Sequence, residues 1–141
     1  MRKSIILGFG AAIALISTGA AIAQRMGSRF GYPYESGKDI YSHVCQGCHM
    51  PDAKGALSAS IYGYPALAGD PKLASGLYPA MVIVRGQKAM PAFDDLSDAQ
   101  VAEVVNYVRS NFGNKFADTI TPAQVKALRP PEVNKENKRP G

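Results

Sequence analysis

Two cysteines and a histidine fall within five residues, Cys45-Gln46-Gly47-Cys48-His49, and the chain has no other cysteine. A C-x-x-C-H run is the attachment signal for c-type haem. Each thiol can form a thioether with one of two neighbouring vinyl groups on a single porphyrin edge, and the imidazole can reach the iron from below that edge. Positions i, i+3 and i+4 share one face of a helix, so Cys45, Cys48 and His49 can address one haem. Two other chemistries use similar residues. A thioredoxin-like C-x-x-C pair needs flanking strands and does not call for the histidine. Structural zinc needs four ligands, and the soft ligands here, Cys45, Cys48, His43 and His49, crowd together without a distant second pair.

Iron held by His49 on one face needs a ligand on the other, or an open position. An open site suits ligand binding or catalysis, whereas a thioether suits electron transfer. Beyond the first 23 residues the candidates are Met26, Met50, Met81, Met90 and His43. His43 precedes Cys45 by two positions and Met50 directly follows His49, so neither can cross the ring. Met81 sits in an apolar helical run, where methionine usually fills a core, and Met26 lies in an irregular stretch. Met90 stands in a loop, stiffened by Pro91, 41 residues beyond His49. Its plain alternative is a packing methionine; the reading adopted here is the second axial ligand.

The elements around these residues read as helices. One begins near Ser36 or Gly37 and runs through Ile40, Tyr41 and Val44 into the haem motif. Residues 50–69 carry Gly55, Gly63, Pro65 and Gly69 and read as a long loop that can wrap a haem edge. Asp70-Pro71 opens a short helix through Ala74, and Pro79 starts another that Gly86 stops. Ser97 with Gln100 forms a capping box. Val101, Val104, Val105, Val108 and Phe112 then follow at helical spacing, with Gly113 as the stop, a helix of about fifteen residues. Thr121, Pro122 and Gln124 repeat the capping pattern for a last helix to Leu128. No alternating strand pattern occurs, so the expected class is all-α.

The N-terminus is an address. Met1-Arg2-Lys3 precedes an uncharged stretch, apolar from Ile5 to Ile16, and Ala21-Ile22-Ala23 offers a cleavage site. The expected organisation is a signal peptide over 1–23 and a lead-in over 24–36. A cytochrome-sized domain over 37–113, an extension over 114–128 and a flexible tail over 129–141 follow. Cleavage after Ala23 places the mature chain in the periplasm, and a membrane contact arises only if the first segment is retained as an anchor. Losing Arg2 and Lys3 lowers the formal charge from +5 to +3, and the tail carries most of the remainder. The body is near neutral and has no basic stripe with interleaved aromatics, which argues against nucleic acid as a partner.

The chain resembles the small class I c-type cytochromes over about residues 36–113. Gly37 and Tyr41 match that family's N-terminal helix, where the glycine lets a C-terminal helix cross closely; the likeness puts Tyr107 at that crossing. Pro65, within Tyr64-Pro65-Ala66-Leu67-Ala68-Gly69, matches the proline whose carbonyl accepts the axial histidine's ring N–H. Met90-Pro91 matches the axial methionine. A narrower resemblance, through Tyr64 to Phe93 and Val105 to Leu128, is to cytochrome subunits of periplasmic alcohol-type dehydrogenases. The single small domain is also similar to the cytochrome subunit of flavocytochrome hydroxylases acting on p-cresol. The single C-x-x-C-H motif gives one haem c, and the resemblances imply an electron-transfer role rather than an enzymatic one. They also imply a dehydrogenase or flavoenzyme as donor, and an oxidase or another cytochrome as acceptor. The rival class is an open-site haem protein, a small peroxidase or gas sensor, for which Met90 would be dispensable. Transfer is expected at a haem edge near Gln46, Gly47 and the 50–69 loop. Because the body is near neutral, the partner on-rate measured by stopped flow should change little between low and physiological salt. A steep salt slope would instead mark a charged docking face.

Overall fold

The computed structural model describes residues 31–56 and 63–131. The expected leader, Met26, part of the 50–69 loop and residues 132–141 of the expected tail lie outside the described residues.

Ser36 opens the first helix, its hydroxyl accepting the Asp39 backbone N–H at 3.1 Å. The chain then winds through α1 (Gly37–Ile40), a π-helical turn (Tyr41–Cys45) and α2 (Gln46–His49) in unbroken succession. In the π turn the Gln46 N–H reaches back to the Tyr41 carbonyl, which adds one residue to that turn. A 3-10 turn follows at Pro71–Ala74, then α3 (Leu77–Arg85), α4 (Asp98–Ser110) and α5 (Pro122–Leu128). Among the described residues extended pairing is confined to two isolated bridges, Ala56 with Tyr64 and Gln87 with Met90. The all-α expectation holds.

Two boundaries differ from those read off the sequence. Helix α3 starts at Leu77, ahead of Pro79; first-turn residues donate no intrahelical bond, so a proline at the third position costs little. Helix α4 stops at Ser110, short of Gly113. Side chains end it: the Ser110 hydroxyl donates to the Asn106 carbonyl at 2.8 Å, and the Asn111 amide to the Tyr107 carbonyl at 2.8 Å. Ser and Asn compete in this way for helix backbone groups. Phe112 therefore leaves the helix at φ +55° and folds onto Tyr41 (ring centroids 4.7 Å apart) and edge-on to Tyr107 (5.6 Å).

The core forms where α1 crosses α4 and where α5 packs over α3 and α4. Ile40, Val101, Val104, Val105 and Val125 are no more than 2% exposed, each contributing roughly 1.5–3 kcal/mol by burial. The crossing is tight enough to need a glycine. A Cβ on Gly37 would collide with the Glu103 carbonyl oxygen and stand 2.7 Å from the Tyr107 Cβ.

The segment after α4 is knitted into the same core. Ile120 is buried and exchanges two hydrogen bonds with the Asn106 side chain, at 2.9 and 3.0 Å. Arg109 is fully buried yet charged. Its guanidinium donates to the carbonyls of Leu73 (2.8 Å) and Ala74 (2.9 Å) and to the Asp118 carboxylate (2.7 Å). The pair holds the Asp118 carboxyl below the usual carboxylate range. Arg129, the first residue of the expected tail, donates to the Asp98 carboxylate at 2.6 Å and to the Leu96 carbonyl. Gln100 ties in the lead-in, its amide donating to the carbonyls of Tyr32 (2.8 Å) and Tyr34 (2.7 Å). No helix among the described residues is long and apolar enough to cross a membrane.

Replacing Gly37 by alanine should lower stability by about 1–3 kcal/mol, the usual cost of overpacking. The urea midpoint of the haem-loaded protein reads this directly; an unchanged midpoint would show that the backbones do not meet there.

Candidate haem site

The π turn and α2 place the motif on the lining of a cavity of about 440 Å³, inside the range of ligand and cofactor sites. Cys45 is half-buried, Cys48 exposed, and His49 only 8% exposed. All three line the cavity. The His49 Nδ1 lies 3.0 Å from the Pro65 carbonyl oxygen. A carbonyl can only accept, so Nδ1 carries a proton and donates, and in the neutral ring the lone pair is then on Nε2. That is the tautomer a metal needs, and the bond orients the ring and raises its basicity.

The loop after the motif exists to bring Pro65 there. The Gly55 N–H donates to the His49 carbonyl at 3.1 Å, and Ala56 and Tyr64 exchange backbone bonds at 3.2 and 2.8 Å. The carbonyl of fully buried Ala53 accepts from Leu67 (2.7 Å) and Ala68 (2.9 Å). The Asn114 amide donates to the Leu67 carbonyl at 2.9 Å. Tyr41 locks the start of this loop, its hydroxyl donating to the Met50 carbonyl at 2.7 Å.

The lining also takes in Pro79, Val82 and Ile83 of α3, residues of the Gln87–Met90 turn, and Val104, Val105 and Val108 of α4. Met90 is half-buried and is the one methionine among the described residues that lines the cavity. Met50 caps α2 and Met81 is not on the lining. His43 stays outside, stacked on Tyr34 at 4.3 Å and bonded to the Asp39 carbonyl. The polar side chains of the lining include Lys72, Lys88, Tyr78 and Gln87, the last two joined at 3.2 Å. Sequence reasoning passed over these four; only their adjacency to Asp70-Pro71 and Met90 hinted at them.

The competing chemistries lack their requirements. Among the described residues no group of three or more His, Cys, Asp or Glu converges as metal ligands would. A reactive C-x-x-C pair needs a lowered thiol. Burial, with the neighbouring Cys48 adding to it, pushes the Cys45 thiol up to about 12. A haem fits instead: the lining brings together two thiols, an imidazole held through Nδ1, a thioether and apolar side chains.

The family described as cytochrome c oxidase, cbb3-type, subunit III matches residues 33–108, more than half of the chain. The chain belongs to that family, and its domain is a c-type cytochrome. The chain is also similar to the cytochrome c subunit of a quinone-type alcohol dehydrogenase of Gluconobacter oxydans (strain 621H), with 31% identity over 67% of this chain and 22% of that protein. Against the gluconate 2-dehydrogenase cytochrome c subunit of Pantoea cypripedii the figures are 34%, 70% and 25%. Against the fructose dehydrogenase cytochrome subunit of Gluconobacter japonicus they are 33%, 66% and 22%. The resemblance to dehydrogenase cytochrome subunits thus holds, while the chain spans a quarter or less of the length of these relatives.

Burial, followed by the nearby Cys45, Asp52 and Tyr107, pushes the Tyr41 phenol from 10 up to about 12. The folded state therefore binds that proton more tightly. The stability this provides is complete below pH 10 and is lost as pH rises towards 12. Tyr41→Phe should cost about 1 kcal/mol at neutral pH through the lost bond to Met50. The deficit should shrink at strongly alkaline pH; urea midpoints of both proteins at neutral and alkaline pH test this, and a constant difference would refute it.

Proposed function

We propose that this domain is a single-haem electron carrier of the periplasm. One haem would be attached by addition of the Cys45 and Cys48 S–H groups across its two vinyls, with His49 and Met90 as the axial pair. The observation that carries the reading is that His49, its Nδ1 committed to Pro65, and Met90 line one apolar cavity together with both thiols.

When bound, the haem supplies a one-electron Fe(II)/Fe(III) couple. The chain supplies the rest. Pro65 holds the His49 ring and its tautomer. The Gln87–Met90 turn presents a thioether, which raises the potential relative to a second nitrogen ligand. Val82, Ile83, Val104, Val105 and Val108 limit water around the metal and so set its dielectric surroundings. Lys72 and Lys88 contribute positive charge on the lining, suited to the carboxylate substituents of a porphyrin. With His49 and Met90 both available to hold the iron, the domain would pass electrons rather than bind a substrate there.

The relatives named above are cytochrome subunits of dehydrogenases, and they support a dehydrogenase or flavoenzyme as donor. An oxidase or another cytochrome would be the acceptor, with the chain acting as subunit or shuttle. Export follows from the 1–23 segment, with cleavage after Ala23.

Absorption spectra of the exported protein, oxidised and reduced, alongside Met90→Ala, test the assignment. The wild type should show the weak near-infrared band of thioether-ligated ferric haem, and the variant should lose it and bind carbon monoxide readily when reduced. The intact mass should equal residues 24–141 plus one haem. A high-spin wild type, or a variant with an unchanged spectrum, would transfer the protein to the open-site class.

A further inference from the structure

Each side of the axial pair leans on a glycine that is not itself a ligand. Gly55 has φ +70°, and a Cβ there would collide with the Tyr64 carbonyl oxygen and stand 2.8 Å from the Pro65 carbonyl carbon and oxygen. That oxygen is the one that accepts from His49 Nδ1. Gly86 also has φ +70°, and its Cβ would stand 2.8 Å from the Ala92 nitrogen, 2.9 Å from the Met90 oxygen and 3.0 Å from the Pro91 carbonyl carbon. In both cases the obstructed atoms are backbone, which cannot rotate aside as a side chain can.

The backbone near Gly86 is also pinned from both ends. The Gly86 N–H donates to the Val82 carbonyl and the Phe93 N–H to the Ile83 carbonyl, each at 2.8 Å. Between these anchors Gln87 and Met90 exchange bonds at 2.9 and 3.0 Å, and Lys88 is held at φ +54°, a conformation that a non-glycine residue adopts only when its surroundings enforce it. A Cβ at Gly86 can be accommodated only by lifting the segment that carries Met90. Gly113 provides the contrast: φ +82°, yet nothing within 4 Å of its Cβ position.

We propose that Gly55 and Gly86 are the positioning residues of the axial pair, Gly55 setting the acceptor for His49 and Gly86 setting the reach of Met90. The proposal rests on the His49/Met90 reading above. It separates two effects that a loss of packing alone would not separate. Displacing Pro65 weakens the bond to Nδ1, makes the imidazole a poorer donor and so favours Fe(II), raising the potential while the thioether stays bound. Displacing Met90 weakens the thioether and lowers the potential.

The experiment uses haem-loaded Gly55→Ala, Gly86→Ala and Gly113→Ala, each measured for near-infrared band, reduction potential and imidazole affinity. Gly86→Ala should lose the band or bind imidazole on the order of tenfold more tightly, as overpacking energies translate. Gly55→Ala should keep the band and shift the potential upward. Gly113→Ala should change neither. Gly55→Asn and Gly86→Asn stand in where an alanine variant does not accumulate, since asparagine tolerates positive φ but brings the same Cβ. Asparagine variants that behave as wild type would overturn the contact argument. So would a Gly86→Ala that keeps its band and its imidazole affinity, or a Gly55→Ala whose potential does not rise. A wild type without the band fails the axial reading itself, before any glycine variant is compared.

Discussion

The hydrogen bond from His49 Nδ1 to the Pro65 carbonyl is the constraint around which the first half of the chain is folded. An imidazole has two nitrogens, and only a fixed acceptor on one commits the other to a metal. Placing a carbonyl beside a histidine 16 residues earlier requires the chain to reverse tightly and return. The Ala53 carbonyl, the Ala56–Tyr64 bridge and the Tyr41 hydroxyl on Met50 are the means of that reversal. None of these groups has chemistry of its own to perform at a metal. Their role is to remove freedom from one ring.

The second half of the chain answers a different need, that of a wall which does not yield. Arg109 shows how. A fully buried charge is costly unless its donors are all used, and here the partners come from two segments far apart in sequence, the Pro71–Ala74 turn and Asp118. The turn beside Leu73, which lines the cavity, is thereby tied to the segment leading into α5. Because Asp118 is largely exposed while Arg109 is not, the cation's demands are met mainly by carbonyls, and the carboxylate adds a partner at the surface.

Much of this was legible in the residues. The C-x-x-C-H spacing, the capping boxes at Ser97/Gln100 and Thr121/Gln124, and the valine stripe of α4 are local patterns, and local patterns survive into the fold. Pro65 was legible only through resemblance, since no periodicity identifies a loop carbonyl, whereas Met90 emerged by elimination among the methionines and His43. The rest depended on tertiary packing. Gly55 and Gly86 read as loop punctuation and helix stop, because what they make room for lies several residues away. Arg109 falls directly after the valine stripe, where a charge is ordinarily solvated, and its partners are non-local. The end of α4 was misplaced because Ser110 and Asn111 cap with their side chains before Gly113 is reached. The π turn carries no local signature.

That π turn sits between the two working ends of the first helix. Gly37 and Ile40 belong to the crossing with α4, whereas Cys45, Cys48 and His49 belong to the cavity. One residue of an α-helix corresponds to about 100° of rotation, so the additional residue in Tyr41–Cys45 sets the angular phase between the two ends. Exchanges of Ser42 or His43 leave that phase alone, whereas deleting one of them would keep both thiols and the imidazole yet turn the attachment face away from its cavity. Tyr41 and Cys45 have tasks of their own, but at Ser42 and His43 between them the length of the segment matters more than its composition.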